Sequence, residues 1–285
     1  MRPLEGKVAV VTGATRGIGK GTACVLGEQG ATVYVTGRTV NAGDSPLPGT
    51  LGETVAEIER RGGKAIPVAL DLFDDAGIAA LFTQVEAEQG RLDILVNNAM
   101  AIPPSMTDRK GFWEKPLADE WQIWDTGARA AFIAAHYAAK IMVPQKSGLI
   151  VGMSGYVGRT YTYDVMFGTT KSATDRMIRD MGVELKPHNV AAVSLWQGFT
   201  YTERATENLK TVPGMANQLN SAVGSSPEFP GRVIAALAAD PQAMARTGGS
   251  WIVAELAEAY GVTDIDGRKI PSLRAERGAP IFQPV

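Results

Sequence analysis

An apolar, β-branched run that stops on spaced glycines limits what this chain can build more than any other feature. Lys7-Val8-Ala9-Val10-Val11-Thr12 reads as a buried strand, and Gly13-Ala14-Thr15-Arg16-Gly17-Ile18-Gly19 follows it at once. Strand, glycine turn and helix start, in that order, open a βαβ unit suited to a dinucleotide. Gly13 permits the tight turn, Gly17 lets backbone approach a pyrophosphate, and Gly19 lets the helix from Lys20 pack against the sheet. Phosphate is then expected on the N–H groups of the helix N-terminus.

The second strand, Ala31–Thr36, ends in Gly37-Arg38 and not in the acidic residue that would bind a ribose 2′-hydroxyl. Arg16 and Arg38 together are expected to bracket a 2′-phosphate through charge-assisted, bidentate hydrogen bonds. The expected cofactor is therefore NADPH (NADP+) in preference to NADH.

Further strand signals lie at Ala65–Leu70, Ile94–Val96, Gly148–Gly152 and Val190–Leu195. Helical stretches separate them at Leu51–Arg61, Ala76–Gln89, Trp121–Val143, Thr169–Leu185 and Pro230–Ala239. This alternation predicts an α/β chain: a single-domain Rossmann fold over 1–285, a doubly wound parallel sheet with helices on both faces. Asn41–Thr50 carries glycine and proline and reads as a surface excursion. Residues 203–229 lack clear periodicity after a strand's carboxyl end, the place for a substrate lid. The segment 270–285, with three prolines and an apolar end, reads as a C-terminal extension that either covers a neighbouring subunit or frays.

A chain of 285 residues with a formal charge of −2 has ample length for one core and no electrostatic case for nucleic acid or anionic membrane. Its single cysteine, Cys24, forms no internal disulfide and is expected to pack in the core. His136 and His188 do not form a metal spacing, so no metal is assigned. The apolar stretch 128–143 is interrupted by Arg129, His136 and Lys140 and reads as a buried or subunit-interface helix, not a membrane span. With the first strand so near the start, no signal peptide is expected, and a cytoplasmic location follows.

Thr12 to Gly19, Asp71-Leu72, Asn97-Asn98-Ala99, Ser154 and Lys171 together resemble the short-chain dehydrogenase/reductase superfamily over essentially the whole chain. A closer similarity, to the branch typified by dehydrogenase/reductase SDR family member 1, is carried by Ala31–Arg38, Phe112-Trp113-Glu114, Met142-Val143-Pro144, Ser194-Leu195-Trp196 and Tyr260–Arg268. The branch implies an NADPH-dependent carbonyl reductase acting on a small molecule, here beside the apolar residues Met100, Phe112, Trp113, Tyr161 and Met166. The resemblance also implies a homodimer or homotetramer, formed through the 128–143 helix and the one that follows it.

By the same resemblance the cofactor is held by Gly13, Thr15, Arg16, Gly17, Ile18, Gly19, Arg38, Asp71, Leu72, Asn97, Ala99, Lys171, Gly198 and Thr202. In the family a serine holds the substrate carbonyl, a tyrosine delivers the proton, and a lysine one helical turn later lowers the tyrosine's pKa and binds the nicotinamide ribose. Ser154 matches the serine and Lys171 the lysine, but Phe167 stands in the tyrosine's place. Hydride arriving at a carbonyl leaves an alkoxide that needs a proton or preorganised donors, and phenylalanine supplies neither.

Four readings of Phe167 stand open: a disabling substitution, a substrate such as an iminium that needs no acid there, replacement by another tyrosine (Tyr156, Tyr161, Tyr163 or Tyr201), and a redox-inactive NADP(H)-binding regulatory or scaffold protein. Tyr161 is the named candidate because it lies in the loop that covers the substrate, and Tyr163 shares the face of Phe167 if the helix starts early. Two smaller departures are Gly127, in a stretch without the asparagine that many members place there, and Gln197, where the family has proline before Gly198.

Overall fold

The computed structural model describes residues 2–108, 110–211 and 223–285. In chain order the elements are β1 (Val8–Val11), α1 (Gly17–Glu28), β2 (Thr32–Gly37), α2 (Leu51–Arg60), β3 (Lys64–Ala69), α3 (Asp75–Gln89) and β4 (Ile94–Asn97). Then come α4 (Leu117–Trp124), a π-helical segment (Asp125–Arg129), α5 (Ala130–Gln145), β5 (Gly148–Gly155), α6 (Val165–Leu185) and β6 (Val190–Gln197). The chain continues through α7 (Glu203–Thr211), α8 (Glu228–Ala239), β7 (Ser250–Ile252), α9 (Val253–Tyr260) and α10 (Arg274–Arg277). The strands make a seven-stranded sheet in the order β3-β2-β1-β4-β5-β6-β7, the α/β alternation that the sequence predicts.

Contacts group the chain into two compact units, each assembled from separate stretches. The first comprises Met1–Ala69, Gln197–Pro241 and Ile252–Leu273. Here β1 is buried along its whole length and pairs in parallel with β2, Val8 opposite Thr32 and Val11 opposite Val35. β3 pairs in parallel with β2 and forms the sheet edge, which is why Pro67 is tolerated inside it: an edge strand needs no N–H on its outer side. Thr50 and Glu53 close α2 with a reciprocal capping box. α1 packs tightly on α8, since a Cβ at Gly21 would come within 2.3 Å of the Pro227 backbone. Cys24, buried on α1, packs in the core as expected, and burial pushes its thiol up to about 11.

The second unit comprises Leu70–Trp196, Gln242–Trp251 and Arg274–Val285. β4 pairs in parallel with β5, Ile94 opposite Leu149 and Asn97 opposite Gly152. The single helix expected over Trp121–Val143 is α4 and α5 joined through the π segment. At its centre Gly127 leaves no room for a side chain, because a Cβ there would meet Thr170 Cγ2 at 2.6 Å.

α6 starts at Val165, four residues before the expected Thr169, because Asp164 caps it by accepting from the Phe167 N–H at 3.1 Å. Phe167 is thereby in the first turn, while Tyr163 stays outside the helix in a left-handed conformation with φ 68°. The expectation that an early start would bring Tyr163 onto the helical face of Phe167 is therefore corrected.

Residues 203–229 are in part helical. Glu203–Thr211 is a helix whose polar composition hid its periodicity, and Glu228 and Phe229 open α8; positions 212–222 lie outside the described residues. At the C-terminus, the Val285 N–H bonds the Thr247 carbonyl at 3.0 Å and the Ser250 N–H bonds the Phe282 carbonyl at 3.0 Å. Arg179 on α6 donates to the Gln283 carbonyl at 3.0 Å. The last residues of the tail are thus hydrogen-bonded within the second unit. β7 and α9 were not read from the sequence: a three-residue strand carries too little alternation, and it passes straight into the helix.

Candidate functional site

The glycine turn that follows β1 lies in the first unit. Gly13 and Gly17 have φ values of 65° and 56°, so the turn takes the left-handed backbone that glycine allows. A Cβ at Gly17 would stand 3.2 Å from Thr202 Cγ2, which sets Thr202, on the segment after β6, against the start of α1. Arg16 precedes α1 with no side-chain cap bond, and the freed Gly17 N–H donates to Glu203 Oε2 at 2.8 Å. An anionic oxygen on this amide is what the dipole and unsatisfied donors of a helix N-terminus attract. At this amide, where the glycine motif predicts pyrophosphate, the structure places the Glu203 carboxylate.

Arg16 turns toward the 39–49 excursion. Its guanidinium donates to Pro48 O at 2.9 Å, Ser45 Oγ at 3.0 Å, Thr39 Oγ1 at 3.0 Å and Gly49 O at 2.9 Å. Burial lowers its pKa, Glu203 opposes that, and the charge of Arg38 adds to it; the two arginines are therefore within electrostatic reach of each other. Arg38 is exposed, while Arg16 closes the excursion. Gln197, at the end of β6, has a buried Oε1 that no described group satisfies.

The second unit carries the remaining candidates. Asp71 is exposed, and its Oδ1 accepts from the Phe73 N–H at 3.1 Å. Leu72 offers its carbonyl to Arg129 at 3.2 Å. Asn97 closes β4, donates through Nδ2 to Ala131 O at 3.0 Å, and has a buried Oδ1 that no described group satisfies; Ala99 follows two residues later. Within the first unit, the orphaned buried acceptor at Gln197 and a helix N-terminus that binds a carboxylate fit a ligand bearing amide donors and phosphates.

Ser154 lies in β5, fully buried, with its Oγ donating to the Lys171 carbonyl at 3.2 Å. Lys171, on α6, donates from Nζ to Met153 O at 2.8 Å. Burial pulls its pKa down to about 8, against the opposing pull of Asp175. Asp175 is one turn further along α6 and accepts from Ser194 Oγ and, through both carboxylate oxygens at 3.0 Å, from Trp196 Nε1. Ser194 and Trp196 are two apart on β6 and so share a face. The i,i+4 spacing of Lys171 and Asp175 was a usable signal for this network; nothing in the sequence pointed to the β6 partners.

Phe167 is half-buried and has no hydroxyl to add. Tyr161 is 76% exposed and spends its hydroxyl on the Tyr163 carbonyl at 3.2 Å. Tyr156 is buried edge-on against Trp196, and Tyr201, in the first unit, packs edge-on against Phe199.

Behind Phe167, the Asp164 carboxylate that caps α6 also pairs with Lys115, with side-chain exposures of 0% and 2%. Glu120 joins them; burial first, then the charge of Asp164, raises its pKa. No sequence signal pointed to this cluster, because Asp164 is 49 positions from Lys115. Among the described residues there is no cluster of His, Cys, Asp and Glu suited to a metal ion, and no helix long and apolar enough to cross a membrane.

Comparison with known proteins agrees with this geometry. A family model described as short chain dehydrogenase matches residues 7–212. Dehydrogenase/reductase SDR family member 1 of Mus musculus is 39% identical over 281 residues, covering 94% of this chain and 86% of that protein; the Homo sapiens protein of the same name is 38% identical over 277 residues with the same coverage. Among solved structures, a short-chain type dehydrogenase/reductase from Mycobacterium marinum superposes with a TM-score of 0.74 at 27% identity, over 87% of this chain and 94% of that one. A metagenomic short-chain oxidoreductase in complex with NADP gives 0.71 at 26% identity, over 88% and 97%. The fold is therefore the single-domain Rossmann fold, its parallel sheet flanked by helices, and the chain belongs to the short chain dehydrogenase family of oxidoreductases.

Proposed function

We propose that this chain is an NADPH-dependent oxidoreductase acting on a C=O or C=N group of a small, apolar substrate, with proton donation altered by Phe167. The observation that carries the reading is a buried Ser154 whose Oγ donates to the backbone carbonyl of the buried Lys171, on a frame where residue 167 carries no hydroxyl. When bound, NADPH supplies hydride to the substrate carbon. The turn Gly13, Thr15, Arg16, Gly17, Ile18 and Gly19 holds its phosphates, with Arg38 selecting the 2′-phosphate. Asp71, Leu72, Asn97, Ala99, Gly198 and Thr202 line the rest, and Lys171 holds the nicotinamide ribose. Ser154 holds the substrate oxygen or nitrogen.

Exposed Phe132 on α5 and Val183 on α6 support a homodimer or homotetramer through those helices. Residues 203–229 serve as the lid, and 270–285 as an extension bound to its own subunit.

A second reading, a redox-inactive NADP(H)-binding protein, is favoured by one observation: Ser154 has no exposed surface and points its hydroxyl at a backbone carbonyl. Turnover separates the two. NADPH oxidation is measured for this chain and for Phe167→Tyr against matched ketone and cyclic-imine panels. We expect slow ketone reduction, raised about 10²- to 10⁴-fold by tyrosine. Good imine turnover with no gain from tyrosine assigns C=N chemistry, and silence from both chains with intact NADPH binding assigns the redox-inactive role.

A further inference from the structure

We propose that Asp175 is a positioning residue for this reduction, its buried carboxylate, held from β6, supplying the countercharge of Lys171. The proposal rests on the reading of Ser154 and Lys171 as the reacting pair. Its geometry is that of a clamp. Ser194 Oγ and Trp196 Nε1 donate to the carboxylate from β6, Trp196 to both of its oxygens. Trp196 is itself fixed, 1% exposed and edge-on to Tyr156. A carboxylate so held cannot turn away, and it lies on the face of α6 that carries Lys171.

The charges support the same role. Burial pushes the Asp175 carboxyl up, while Ser194, Trp196, Ser154 and Lys171 each pull it back toward the ionised form. Burial pulls Lys171 down to about 8, and Asp175 is the charge that opposes it. Neighbouring elements carry other charges: Asp119 and Glu120 on α4, Asp125 and Arg129 on the π segment, and Lys186 and His188 after α6. Among the described residues only Asp175 registers on Lys171. The ammonium form therefore dominates below about pH 8 and is lost above it, and removing Asp175 moves that loss to lower pH.

The test is NADPH binding, followed by cofactor fluorescence from pH 7 to 10, for the unmodified chain, Asp175→Asn, Asp175→Glu and Trp196→Phe. We expect affinity to fall near pH 8 in the unmodified chain, and the midpoint to move down by about one unit in Asp175→Asn. Asp175→Glu is expected to return most of that shift, and Trp196→Phe, which removes a donor and keeps the carboxylate, to move the midpoint the same way by less. An Asp175→Asn chain that binds with an unmoved midpoint overturns the proposal and leaves the oxidoreductase reading intact. If the unmodified chain fails to bind NADPH at every pH, both fall. Should Asp175→Asn not fold, Trp196→Phe decides, and an unmoved midpoint there overturns the proposal.

Discussion

The turn after β1 and the first turn of α6 are both strand-to-helix passages, yet they are built on different physics. The first is made of backbone: left-handed glycines at 13 and 17 and an amide at the head of α1 that takes a carboxylate oxygen. The second is made of buried charge, Asp164 capping α6 while paired with Lys115, and further along the same helix Asp175 is clamped from β6. A backbone site tolerates changes in the side chains around it but not added bulk. A charge-built site tolerates small changes of shape but not the loss of one partner, because the other is then left buried and uncompensated.

That contrast can be broken or sharpened by substitution. Asp164→Ala strands the Lys115 ammonium and uncaps α6, and is expected to cost about 3–5 kcal/mol, read as a large loss in denaturant midpoint at unchanged slope. Gly21→Ala, at the α1–α8 contact, drives a Cβ against the Pro227 backbone and is expected to cost about 1–3 kcal/mol by the same measurement. A smaller loss than for Asp164→Ala is what the comparison requires. Arg38→Ala should weaken NADPH roughly tenfold while leaving NADH nearly unchanged, measured as paired dissociation constants; equal losses for both would remove Arg38 as the selector. Smallest is Glu203→Gln, which takes the competing charge from the Gly17 amide and is expected to tighten NADPH about 2- to 5-fold. Weakened binding would mean that Glu203 helps the cofactor.

The same contrast explains what the sequence disclosed. The turn after β1 was legible because glycine spacing encodes backbone conformation locally, and the α/β alternation was legible because each strand and helix carries its own period. Helix starts were less legible. α6 was placed four residues late because its cap is a single aspartate whose other partner, Lys115, is 49 positions away. Asp175 is four residues from Lys171 and could have been noticed, but Ser194 and Trp196 meet it only in three dimensions. Glu203 was hidden for a different reason: its segment reads as polar loop, and the role of its carboxylate appears only once α7 is placed against α1.

The Asp164 cap has one more consequence. It grips residue 167 by the main-chain amide and takes no account of the side chain there. The socket is thus built independently of its plug, and one oxygen atom, added or withheld at this position, can change the chemistry of the site while the architecture stays as it is. A lineage, or a protein engineer, can cross that line in either direction with a single nucleotide change.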